Sequence, residues 1–99
     1  MSVKQELIKA KALIADPKNW TQSCLARNAG DMFVNVNDQI ACKFCALGAL
    51  RKAGTHEDAY MKLADAAFKA GFSGIAALND FGLHEDVMEI FDKAIEEAS

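Results

Sequence analysis

Cys42 and Cys45 stand three residues apart in Cys42-Lys43-Phe44-Cys45, and a third cysteine, Cys24, lies upstream. On a helix, thiols at that spacing project from nearby points of one surface and supply half of a tetrahedral zinc site. Completing the site requires the fold to bring up Cys24 and either His84 or His56, neither of which belongs to a paired ligand motif. The plainer reading makes the cysteines small core residues under Trp20 and Phe44, in keeping with how often free cysteine is buried. A redox pair fits less well. It needs its first cysteine at a helix start after a strand, whereas Gln39-Ile40-Ala41 reads as the first turn of a helix that contains the pair.

A second constellation takes Cys45 as nucleophile, His84 as base, and Asp80 or Asn79 as the group orienting the imidazole, the roles of a cysteine-dependent hydrolase. Against it, a thiol two turns into an apolar helix is buried and inert, and no glycine-rich turn nearby offers an oxyanion hole. His84 and Asp80 then cap and brace the last helix. Asp80-Phe81-Gly82 spells a tripeptide that binds magnesium in protein kinases, but without the accompanying loops, and in 99 residues, it is a coincidence. Trp20, Phe44, Tyr60, Phe68, Phe72, Phe81 and Phe91 read as core, not as a cofactor box. No cofactor is expected.

The elements that must position these residues are helical. Ser2 caps a first helix with Gln5 reaching back, Val3, Leu7, Ala10 and Ile14 recur on one face, and Asp16-Pro17 ends it with a short new turn towards Trp20. Gly30 marks a turn, and Met32 to Val36 can form a short extended segment. Asn37 or Asp38 caps a helix from about Gln39 to Ala53, apolar on almost every side and closed by Gly54, which makes it the central, buried helix. Gly48 within it implies close approach by a neighbouring helix or by the Trp20 ring, since glycine lowers helix propensity by about 1 kcal/mol. Thr55 and Asp58 cap a third helix ending at Gly71, Ser73 caps a short one through Leu78, and a last helix begins near His84. The expected fold is all-α: one domain over residues 1–99, a compact bundle of four main helices plus one or two short ones.

With 52% apolar and 25% charged residues the composition is that of a globular protein. The net charge of −3 is spread along every helix, which argues against direct nucleic-acid binding. No stretch approaches the ~20 apolar residues of a membrane helix, the start lacks the pattern of a signal peptide, and an odd number of cysteines suits reduced thiols. The expected location is the cytoplasm, with no membrane association.

Leu13-Ile14-Ala15-Asp16-Pro17, Trp20-Thr21-Gln22, Cys45-Ala46-Leu47-Gly48-Ala49-Leu50, Leu78-Asn79-Asp80 and the closing Phe91-Asp92-Lys93-Ala94-Ile95 occur in this order along nearly the whole chain. In these the chain resembles a family of small uncharacterised bacterial and phage proteins, classed as a domain of unknown function. The resemblance implies a compact helical fold and transfers no mechanism. It marks Trp20, Cys45, Gly48, Asn79 and Asp80 as motif positions, for packing first and function second. Where the family pattern has a threonine before the last helix, this chain has Leu83-His84, which weakens any family role for His84. The functional expectation is a small non-enzymatic accessory or regulatory protein acting through a protein partner or self-association. Met32, Phe33, Val34 and Val36 are the candidate contact face. The alternatives are the hydrolase built on Cys45, His84 and Asp80, and the zinc-stabilised module built from Cys24, Cys42, Cys45 and His84.

Overall fold

The computed structural model describes residues 2–98. Ser2 Oγ accepts from Gln5 N at 3.1 Å while Gln5 Oε1 accepts from Ser2 N at 3.2 Å, so helix α1 (Val3–Ile14) opens on the expected capping box. Asp16 and Pro17 end it and start a 3-10 turn, Pro17–Asn19, that delivers the chain to Trp20. Leu7, Ala10 and Ile14 are fully buried, giving α1 its inner face.

The segment from Thr21 to Cys45 departs from the all-α expectation. Strands β1 (Ala26–Arg27) and β2 (Lys43–Phe44) form a two-stranded antiparallel sheet, with Ala26 opposite Phe44 and Arg27 opposite Lys43. Single bridges widen it on both sides, Trp20 to Phe44 in parallel and Phe33 to Arg27 antiparallel. The extended character expected of Met32 to Val36 is thus present at Phe33. Asn28 holds the turn between β1 and Phe33, its Oδ1 accepting from Gly30 N at 2.9 Å and Met32 N at 3.0 Å.

The central helix is shorter than its apolar run suggests. Helix α2 covers Ala46–Lys52, not Gln39 to Ala53, because Asp38 caps a turn instead of a helix: its Oδ1 accepts from Ile40 N and its carbonyl from Ala41 N. Lys43 and Phe44 then pair with β1, leaving Ile40 and Cys42 exposed and Cys45 as the N-cap. What remains of the helix is buried as expected, with Ala46, Ala49 and Leu50 fully enclosed. Gly48 does serve a close approach, but to backbone: a Cβ built there falls 2.0 Å from the Leu25 carbonyl oxygen.

Helix α3 (Glu57–Lys69) follows Gly54, which adopts φ 70°. Its N-cap is His56 rather than Thr55, whose hydroxyl donates to the Leu50 carbonyl. Helix α4 (Ile75–Phe81) starts at Gly74 without the Ser73 cap expected, and α5 (His84–Glu97) starts where Asp86 Oδ2 accepts from Leu83 N at 2.8 Å. The last turn of α5 is kept through Glu97, which lies 3.6 Å from Lys69 Nζ. Helix α1 packs on α2 and α5, and α3 packs on α5. Leu63, Leu78, Val87 and Phe91 close the core between them. The result is mostly helical, with five α-helices and one small sheet among the described residues; none of these helices is long and apolar enough to cross a membrane. Phe68 and Phe81, expected in the core, are 71% and 85% exposed.

Candidate functional site

The motif residues converge on one buried amide. Asn79, near the end of α4, is 1% exposed, and its side chain reaches both the Trp20-Thr21-Gln22 segment and the start of α2. Oδ1 accepts from Trp20 Nε1 at 2.6 Å and from Ala46 N at 2.9 Å. Nδ2 donates to the Thr21 carbonyl at 2.9 Å and to Asp80 Oδ1 at 3.3 Å. An amide side chain offers two acceptor lone pairs and two N–H donors, so all four of its bonds are made within the protein.

The neighbouring side chains are spent in the same way. The two N–H groups of Gln22 Nε2 are shared among the carbonyls of Asn79, Asp80 and Gly82, at 3.0, 3.3 and 3.2 Å, and so close the C-terminal end of α4, where helix carbonyls lack intrahelical partners. Asp80 Oδ1 accepts from Ser23 N at 2.9 Å, holding Ser23 at φ 71°. That φ lies in the left-handed region, which a serine adopts at some cost. Trp20 packs edge-on against His84, ring centroids 5.4 Å apart.

The proposed catalytic residues are divided by this arrangement. Cys45 is buried at the N-cap of α2, not inside a helix, and its Sγ accepts from Gly48 N at 3.2 Å. Burial pushes the Cys45 thiol above its ordinary range, against the lowering effect of the α2 amides. His84 Nε2 lies 2.7 Å from the Ile14 carbonyl, which only accepts, so Nε2 carries the proton and ties α5 to the end of α1. No hydrogen bond joins Cys45 to His84 among the described residues. Asp80 and Asn79 face Thr21, Ser23 and Trp20 rather than an imidazole nitrogen. Asp80 therefore braces the Ser23 loop, not the last helix.

The metal candidates are also spread out. Cys24 is half-buried with Sγ 3.5 Å from the Ala26 carbonyl, Cys42 is exposed beside β2, and His56 faces Glu6. No three His, Cys, Asp or Glu side chains that could hold a metal ion group together among the described residues. Only Cys45 behaves as the core cysteine expected of all three.

Glu6 was not among the residues singled out, yet it is 2% exposed. Its Oε1 accepts from His56 N and from His56 Nδ1, both at 2.7 Å, so a carboxylate on α1 caps the start of α3. Those bonds hold the Glu6 carboxyl below its ordinary range. Glu6 lies three residues from Val3 and four from Ala10, which puts it on the apolar face; that position was the readable signal.

The contact face expected at residues 32–36 is only partly outward. Met32 and Phe33 are 68% and 70% exposed, Val34 is half-buried against the core, and Val36 belongs to it. Arg27 stacks on the Phe33 ring at 4.7 Å from its centroid. Its guanidinium is fixed by the Thr21 hydroxyl at 2.7 Å and the carbonyls of Asp31 at 2.9 Å and Gln22 at 3.4 Å. Two cavities lie away from the motif residues. One of about 500 Å³ is lined by Val3, Met61, Lys62 and acidic residues of α3 and α5, and one of about 250 Å³ lies between residues 34–37 and α2.

A family model described as a family of unknown function (DUF6197) matches residues 1–97. No curated protein and no solved structure matches the chain.

Proposed function

The chain belongs to this family of unknown function, a membership that covers nearly its whole length and brings no activity with it, and from the site's own geometry we propose a small non-enzymatic accessory or regulatory protein that works by contact with another protein. One observation carries this reading: Phe33 is held in solvent on a braced support. Arg27, fixed by three hydrogen bonds of its own, lies under the ring, so the aromatic is presented in a set orientation. Aromatic anchors of this kind dominate binding energy at protein interfaces, and prior ordering reduces the entropy lost on association.

The motif residues support the same reading from the other side. Asn79 has no hydrogen-bonding capacity left for a substrate, Trp20 and Gln22 are each tied to another segment of the chain, and outside the motifs His84 is tied to the end of α1. The family motifs are then read as the frame that sets β1, β2 and the Phe33 bridge in place, and the exposed surface as the part that acts.

The test is Phe33→Asp. The variant keeps its circular dichroism spectrum and melting temperature, since the ring is mostly in solvent, and loses self-association by sedimentation or the partner captured by the wild type under identical conditions. A variant that assembles or captures as the wild type does would overturn the reading.

A further inference from the structure

The two arginines of the chain are used in opposite ways. Arg27 is held by three hydrogen bonds, whereas the side chain of Arg51, exposed on the last turn of α2, makes no hydrogen bond and no ion pair with any described residue. It lines the cavity of about 250 Å³ together with Leu25, Val34, Asn35, Val36 and Asn37. The walls are of two kinds. Val36 is buried and Leu25 and Val34 pack against the core, giving an apolar floor that the fold holds still.

The polar rim carries amide donors. Asn35 Oδ1 accepts from Asn37 N at 2.9 Å, and the Asn35 NH2 group has no partner among the described residues. The Asn37 side chain has no partner among the described residues, and no Asp or Glu lines the cavity. The nearest acid in sequence, Asp38, directs Oδ1 at Ile40 N at 3.1 Å, and Lys52 adds a second positive charge beside Arg51. A guanidinium flanked by amide donors over an apolar floor is matched by a carboxylate on a short aliphatic group, the planar fork pairing with both carboxylate oxygens. Arg51 also suits the negative end of the α2 dipole, but Lys52 serves that purpose equally and does not line the cavity.

We propose that the cavity between residues 34–37 and α2 binds a small aliphatic carboxylate, either a free acid or the last residue of a peptide, through Arg51. At about 250 Å³ it sits just below the ~300–1,000 Å³ common for ligand pockets, so the ligand is a short one.

Titration of the full chain with isovalerate, followed by amide and arginine Nε resonances, tests this. Saturable shifts are expected at Val34 to Asn37 and at Arg51 Nε, with affinity weakened roughly tenfold or more in Arg51→Gln, the loss expected for a charge-assisted hydrogen bond. Unchanged resonances elsewhere establish that the variant is folded. Acetyl-Ala-Val with a free carboxylate is the second probe: tighter binding than isovalerate assigns the site to peptide C-termini, and equal or weaker binding assigns it to free acids. No response to either probe, shifts that persist in Arg51→Gln, or equal shifts with the uncharged amide of isovalerate would overturn the proposal. Phe33 lies outside the lining, so Phe33→Asp leaves carboxylate binding intact, and this proposal and the interaction reading fail separately.

Discussion

Asn79→Ala removes the centre of the frame, and its cost can be worked from the bonds it strips. Ala46 N is buried and loses its acceptor outright, a penalty of about 2 kcal/mol for a buried donor left unpaired. Trp20 Nε1 and the Thr21 carbonyl are part-buried and recover some hydration, so each loses about 1 kcal/mol. The longer contact to the exposed Asp80 carboxylate adds little. The total, about 4 kcal/mol, is a large share of the ~5–15 kcal/mol that holds a typical domain together. In urea, with a slope of roughly 1.5 kcal/mol/M for a chain of this size, the midpoint falls by roughly 2.5 M. Far-ultraviolet circular dichroism is the proper probe, because the single tryptophan is itself a partner of Asn79. A loss under about 1 kcal/mol would refute the claim that this amide knits the segments together.

Three further outcomes follow from the same geometry. Gly48→Ala destabilises by about 2 kcal/mol or more in thermal or urea melts, because a Cβ 2.0 Å from the Leu25 carbonyl oxygen forces the Leu25 backbone and the helix apart; helix propensity alone would give a gain of about 1 kcal/mol, so the sign decides. Glu6 has a folded-state pKa below its ordinary 4.5, so its contribution is full above that value and is lost as pH falls through the lower, folded one; Glu6→Gln therefore melts lower than the wild type at neutral pH, and the gap narrows on acidification, whereas a pH-independent gap would contradict the cap. Trp20→Phe loses the indole donor while Asn79 Oδ1 keeps Ala46 N, so a cost of about 1 kcal/mol beyond the packing change is expected, and a double-mutant cycle with Asn79→Ala measures it as coupling.

Much of this architecture is readable wherever the signal is local. The Ser2–Gln5 cap, the break at Asp16-Pro17 and the left-handed Gly54 and Gly71 appear where the residue types place them, because each rests on contacts within a few positions. The run from Gln39 to Cys45 is not readable in this way. Its residues suit a helix as well as a strand, and the choice is made by Ala26 and Arg27, some seventeen residues upstream, through backbone pairing that leaves no local trace. The same holds for the site. Trp20, Cys45, Gly48, Asn79 and Asp80 stand out as motif residues, but a list of types cannot say that Asn79 bonds to Trp20 instead of to a substrate. A histidine four residues from a carboxylate suggests chemistry; only the fold sends His84 to the Ile14 carbonyl and Asp80 to Ser23.

The central claim, that the chemistry-bearing motif residues form a frame and not a reaction centre, is tested most directly at Cys45. The measurement is native-state thiol labelling at neutral pH, with each cysteine assigned by peptide mass spectrometry and exposed Cys42 as the internal reference. Cys42 is expected to label at once, while Cys45, buried and with its thiol pushed up in pKa, labels only as the protein unfolds. Labelling of Cys45 in the folded protein as fast as that of Cys42 would contradict it.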